Sequence, residues 1–215
     1  MNSLRMNASV ALVACAASAV MSLAACSSHK TSPSASTSAA SVSVPAGTEG
    51  VTPAPAETAS ADSTCPTAAP GSGGTPEWTL TGATGSVAVT GSTDTSAPRV
   101  DVTSPFSVTQ TEVHTLHGGD GPVVAPTATV SVCYMGVNGR DGHVFDSAYE
   151  RGSPAQFPLD GVVPGFQKAI AGQKVGSTVG VAMTSADGYP DGQPSAGIQK
   201  GDTLVFAIKI LSASS

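Results

Sequence analysis

The chain has 215 residues, of which 11% are charged and 4% aromatic, with a formal net charge of −6. So few aromatics supply one core of about a hundred residues rather than two. The negative balance and the lack of any Lys/Arg run exclude a nucleic-acid or anionic-membrane footprint, which needs clustered positive charge. In chain order, Arg5 precedes an uncharged, mostly apolar run from Ala8 to Ala25, with small residues just before Cys26, and this reads as an export signal. Ser27 to Pro76 contains no Leu, Ile, Met, Phe, Tyr or Trp, so it cannot bury enough apolar area to offset the entropy of ordering. It reads as a disordered tether, spanning about 40 Å r.m.s. as a coil. Residues 77–107 hold Thr, Val and Gly between turn signals and predict short strands or an irregular arm. Val108–Leu116 predicts a strand ended by Gly118-Gly119-Asp120-Gly121-Pro122. Thr127–Met135 is a clearer strand, with Val130, Val132 and Tyr134 on one face. Pro164 suits a first helical turn, Phe166, Ala169 and Ile170 then form one apolar stripe, and Gly172 is placed to stop the helix. Ser177–Thr184 puts Val179, Val181 and Met183 on one side. Thr203–Leu211 does the same with Leu204, Phe206, Ile208 and Ile210. Strands outnumber helices without β-α-β alternation, which implies an antiparallel α+β domain.

The common catalytic constellations are missing: there is no glycine-rich phosphate loop with a following lysine, no G-x-S-x-G and no H-E-x-x-H. No cofactor or metal site is expected. His114 and His117 would face opposite ways on a strand and read as solvated. Ser147 has no histidine in its motif and reads as a turn hydroxyl. Among the cysteines, Cys15 lies in the removable segment, while Cys65 and Cys133 survive as an even pair in an oxidising setting, either as a disulfide or as two inert thiols. The tetrad Leu23-Ala24-Ala25-Cys26 resembles a bacterial lipobox. That resemblance implies that Cys26 becomes the lipidated first residue of the mature protein, on the extracytoplasmic face of the cell membrane. Lipid chains hold such a domain by burying methylenes at about 0.8 kcal/mol each.

The densest signal is Val144 to Phe166, V-F-D-S-A-Y-E-R-G-S-P-A-Q-F-P-L-D-G-V-V-P-G-F. Aromatic and β-branched residues surround one early carboxylate, Asp146, as in the wall of a small apolar pocket with one polar group. The order resembles the FKBP-type peptidyl-prolyl cis–trans isomerases, in which V-F-D-S-(S/A)-Y-x-R-G-x-P leads through V-I-P-G-(W/F) into one short helix. The match extends from Val108 to Leu211, taking in D-G-Y-P-D-G-Q-P-S-A-G-I and the ending T-L-V-F. The resemblance implies a five- to six-stranded antiparallel sheet wrapped around one short helix. It implies pocket positions at Tyr134, Phe145, Asp146, Val162, Val163, Phe166, Tyr189, Ile198 and Phe206. Phe166, Val162, Val163 and Phe206 would enclose the proline ring, Tyr134, Phe145 and Asp146 would flank the prolyl amide, and Tyr189 and Ile198 would orient the backbone beyond it. The implied ligands are proline-containing polypeptides and macrolides, the implied state a monomer, and no cofactor is called for. Four features depart from the family: Phe166 where Trp is frequent, Ala155 where an aromatic is frequent, the run Met183-Thr184-Ser185 for I-P-P, and Pro190 for glycine. The expected organisation is a lipoprotein signal at 1–25, a tether at 26–76, an arm or short strands at 77–107 and the isomerase domain at 108–215. Two competing readings of the same fold are a non-catalytic chaperone or adaptor gripping proline-containing segments, and a structural envelope lipoprotein.

Overall fold

A computed structural model describes residues 64–71 and 74–214. The expected export signal, Cys26 and most of the tether lie outside the described residues. Nine strands are described: β1 (Trp78–Thr81), β2 (Thr84–Thr90), β3 (Arg99–Ser107), β4 (Glu112–His117), β5 (Thr129–Asn138), β6 (Val144–Ser147), β7 (Ala155–Pro158), β8 (Thr178–Met183) and β9 (Leu204–Ser214). Two α-helices accompany them, the single turn α1 (Ala148–Arg151) and α2 (Pro164–Ile170).

The larger sheet is wholly antiparallel, with order β4-β8-β9-β5-β6, and β7 also pairs with β5. β5 shares one edge between two short partners. Its first half pairs with β7, as in Val130 opposite Phe157, and its second half with β6, as in Gly136 opposite Asp146. The chain thus leaves the sheet between β6 and β7, and that excursion carries α1. The expected five- to six-stranded antiparallel sheet is present with six strands, together with the short helix.

α2 forms where proline pre-sets the first turn and costs no hydrogen bond. Its stripe of Phe166, Ala169 and Ile170 is buried on one face of the sheet, against Val179, Val181, Met183, Phe206, Ile208 and Ile210 among others. Burying a side chain such as Ile170 in full stabilises by about 1.5–3 kcal/mol. The helix ends at Ala171, and Gly172 follows at φ +81°.

Three features go beyond the sequence expectation. Residues 77–107, expected as short strands or an irregular arm, form strands joined in an antiparallel sheet of order β1-β2-β3. Its Val87, Val89 and Phe106 pack on Ala182, Val205 and Ala207, so a second core covers the other face of the larger sheet. α1 is a second, one-turn helix, started by Ser147 Oγ, which accepts from the Glu150 N–H, and ended by Gly152. Third, composition placed residues 64–71 in the tether, but they lie against the domain. Cys65 is buried and joined to Cys133 by a disulfide, and the Ala97 N–H donates to the Ala68 oxygen at 2.8 Å. A covalent bond across 68 residues outweighs the low apolar content of that stretch, contributing about 4 kcal/mol in the chain-entropy account.

Candidate active site

Four strands, the helix and two connections converge on one cavity of about 280 Å³. Tyr134 comes from β5, Phe145 and Asp146 from β6, Phe157 from β7 and Phe206 from β9. Gly161, Val162 and Val163 lead into α2, which supplies Phe166, and Tyr189 reaches in from the β8–β9 connection. Eight of the nine residues implied by the resemblance therefore line one cavity. The ninth, Ile198, does not. It is 2% exposed and packs in the core cluster that holds Phe166 and Phe206, while its backbone pairs with Gln193 in an isolated antiparallel bridge.

The floor is a cluster of edge-on rings. Phe206 meets Phe166 at 5.2 Å between centroids and Phe145 at 5.5 Å, both near perpendicular. Phe157 and Tyr134 meet Phe166 edge-on at 5.5 and 5.7 Å. Perpendicular rings place the positive edge of one on the negative face of another, which fixes the cavity shape. Gly136 is needed beneath them, since a Cβ there would lie 2.7 Å from both Phe145 and Phe206.

The polar rim is a triad. The Tyr134 hydroxyl donates to Asp146 Oδ2, and Arg151 bonds Asp146 Oδ1. Arg151 Nη2 also donates to the Tyr134 oxygen at 3.1 Å, and its guanidinium lies 5.6 Å from the Tyr134 ring centre. Burial, reinforced by the bond to Asp146, pushes the Tyr134 phenol up, while Arg151 works the other way. Asp146, with Tyr134 second, holds the Arg151 guanidinium more firmly protonated. At neutral pH the phenol is thus a donor and the arginine a fixed cation.

A second polar cluster anchors the connection that carries Tyr189. Asp187 Oδ2 receives Lys168 Nζ at 2.7 Å and Thr111 Oγ1 at 2.5 Å, and its backbone oxygen accepts the Gly165 N–H at 2.8 Å. Lys168, then Thr111, hold the Asp187 carboxyl below the usual aspartate range, against the effect of burial.

Phe157, Gly161 and Arg151 were not among the implied site residues. Phe157 was findable, since it alternates with Ala155 on the inward side of β7. Arg151 sits five residues beyond Asp146, and only the α1 turn brings the two together. The histidines are placed elsewhere: His114 stacks on Trp78 at 5.6 Å, and His117 lies 3.5 Å from Glu77.

A cavity of rings with a hydrogen-bonded rim can grip an apolar ring and its flanking amide without covalent chemistry. Comparison with known proteins agrees. The family model for FKBP-type peptidyl-prolyl cis–trans isomerase matches residues 121–211. A probable FK506-binding protein of Corynebacterium glutamicum is 40% identical over 96 residues, which is 44% of this chain and 80% of that protein. An FK506-binding protein of Streptomyces anulatus is 32% identical over 118 residues, covering 54% of this chain and 95% of that one. The FKBP-type 22 kDa isomerase of Escherichia coli is 38% identical over 96 residues, and there the match spans 45% of this chain and only 46% of the relative. The ring-lined cavity, the family match and the coverage of 80% and 95% of two relatives lead to one assignment: this chain belongs to the FKBP-type peptidyl-prolyl cis–trans isomerases.

Proposed function

We propose that this isomerase acts outside the cytoplasm, tethered through lipid on Cys26, and accelerates X–Pro isomerisation in exported polypeptides as they fold. The observation that carries the catalytic reading is the cavity itself, with aromatic walls beside a Tyr134–Asp146–Arg151 rim. An X–Pro bond turns slowly because amide resonance must be broken, a barrier of about 18–20 kcal/mol. The planar amide is more polar than the twisted one, so a site that excludes water weakens the preference for the planar form. A ten-thousand-fold acceleration needs only about 5.5 kcal/mol. In this reading Phe166, Val162, Val163 and Phe206 enclose the proline ring, and Tyr134, Phe145 and Asp146 flank the amide. Tyr189 orients the chain beyond it, and Ile198 supports that loop from inside the core. Macrolides that present a similar ring are the corresponding small-molecule ligands.

Export is supported by Arg5, the Ala8–Ala25 run and the Leu23-Ala24-Ala25-Cys26 tetrad. The Cys65–Cys133 disulfide is chemistry of an oxidising compartment and supports the same reading.

The deciding experiment is NMR exchange spectroscopy on an X–Pro peptide with the purified full-length chain, which needs no coupling protease. Exchange faster than the uncatalysed rate is expected at micromolar protein. Background exchange from a folded sample would overturn the catalytic reading in favour of proline-segment binding without turnover. For the anchor, Cys26→Ala is expected to abolish lipid labelling and release the protein from membranes, and unchanged fractionation would refute it.

A further inference from the structure

The single turn α1 carries the arginine that orders the pocket rim, yet it is held in place largely by residues N-terminal to the family match. Four residues are too few to persist alone, because nucleating one turn is unfavourable. Arg151 leaves its outward side to bond Asp146 and Tyr134 in the cavity wall. Ala148 and, on the side away from Arg151, Tyr149 are fully buried against Cys65, Ala97 and Cys133. The Tyr149 hydroxyl donates to Ser92 Oγ at 2.8 Å, and both residues are buried. The Cys65 N–H donates at 3.2 Å to the oxygen of Gly152, the residue that follows Arg151. Cys65 is itself tied to Cys133, the β5 neighbour of Tyr134. Ser92, Ala97 and Cys65 all precede residue 121, where the family match begins.

We infer that Cys65, Ser92 and Ala97 position the rim of the catalytic pocket, and that Tyr149 and Ser92 are positioning residues for the isomerase acting through Arg151. The inference rests on the reading of the cavity as the place where the X–Pro bond turns. Removing either hydroxyl leaves the other buried without this partner, so it is unsatisfied or must shift toward water and takes the Tyr149 ring with it. A one-turn helix cannot absorb that shift internally. Displacing Tyr149 therefore displaces Arg151, two residues on, and slackens its hold on Asp146 and Tyr134.

The test is a mutant cycle in the full-length chain. Ser92→Ala and Tyr149→Phe are made singly, each also in an Arg151→Ala background, with Ser92→Thr as the conservative replacement. In the native background each single change is expected to lower kcat/KM by about three- to tenfold, with the protein still folded at the assay temperature. Ser92→Thr is expected to restore most of the rate. In the Arg151→Ala background neither change is expected to cost anything further. Equal losses in both backgrounds, or no loss in the native one, would overturn the inference. A second readout needs no activity. Solvent protection of the Arg151 guanidinium protons, followed by NMR, is expected to fall in Ser92→Ala, and unchanged protection would also overturn the inference. An inactive native chain, by contrast, would sink the isomerase reading while leaving the protection measurement to decide this one.

Discussion

Asp146 receives a phenol and a guanidinium at once, and its side chain still keeps 39% of its surface. That combination separates its value to the site from its value to the fold. Exposed ion pairs contribute only about 0–1 kcal/mol, so stability rests elsewhere. Asp146→Asn keeps one acceptor but turns an NH2 toward Arg151 or Tyr134, and arginine has no lone pair to receive it. The expected result is a loss of about tenfold or less in kcat/KM, from one charge-assisted hydrogen bond, with thermal unfolding nearly unchanged. Full activity would reduce the carboxylate to scaffolding and leave the ring cavity alone as the source of catalysis. Phe206 is the opposite case. It is 6% exposed and contacts Phe166, Phe145 and Tyr134 at centroid distances of 5.2, 5.5 and 6.2 Å. Phe206→Ala is expected to cost about 3–5 kcal/mol in urea unfolding and to abolish isomerisation. A stable but inactive variant would show that the ring serves the substrate more than the core.

The connection between β8 and β9 brings Tyr189 to the cavity, and Asp187 fastens it to α2 and to Thr111 just before β4. Because Lys168 and Thr111 lower the Asp187 pKa, its contribution to stability is present above the unfolded aspartate value, about 3.9. It is lost as pH falls through the depressed folded value. The stability gap between the native chain and Asp187→Asn is therefore expected to be widest near neutrality and to close in acid. Urea unfolding at a series of pH values checks this, and a gap that ignores pH would detach Asp187 from Lys168. At this scale much of the fold was legible. Alternation placed Val130, Val132 and Tyr134 on β5 and Leu204, Phe206, Ile208 and Ile210 on β9, and the proline start and apolar stripe marked α2. β6, β7 and α1 are four residues each, too short for any period to register. Ile198 was implied by the order of the motif, whereas its side chain is buried in the core, and order alone does not tell a core position from a lining one. Arg151 was not implied, since its bond to Asp146 depends on the α1 turn.

At the scale of the molecule, the larger sheet is covered on both faces, which is why every residue of β8 is buried. Half of that strand reads as ordinary alternation, Val179, Val181 and Met183 toward α2. The other half is small, Gly180 and Ala182, as a face that a second layer approaches closely requires. They leave room for the three-stranded sheet to approach: a Cβ on Gly180 would sit 2.7 Å from Trp78 Cε3. Residues 77–107 were legible as short strands or an arm but not as a covering sheet, because they mix Thr and Ser with Val, and their aromatics, Trp78 and Phe106, stand at opposite ends. The close contact gives a test of the whole arrangement. Gly180→Ala forces either the indole or the strand to move, and overpacking of this kind typically costs about 1–3 kcal/mol. Trp78→Leu alone loses buried area and is also destabilising. If the two layers pack as described, the alanine methyl occupies part of the space that the indole gives up. The double variant is then expected to be more stable than the sum of the single losses predicts. The coupling is measured by urea unfolding of the four proteins of the cycle. Additive losses would mean that Trp78 does not press on Gly180, and that residues 77–107 cover the sheet more loosely than the contacts of Val87, Val89 and Phe106 imply.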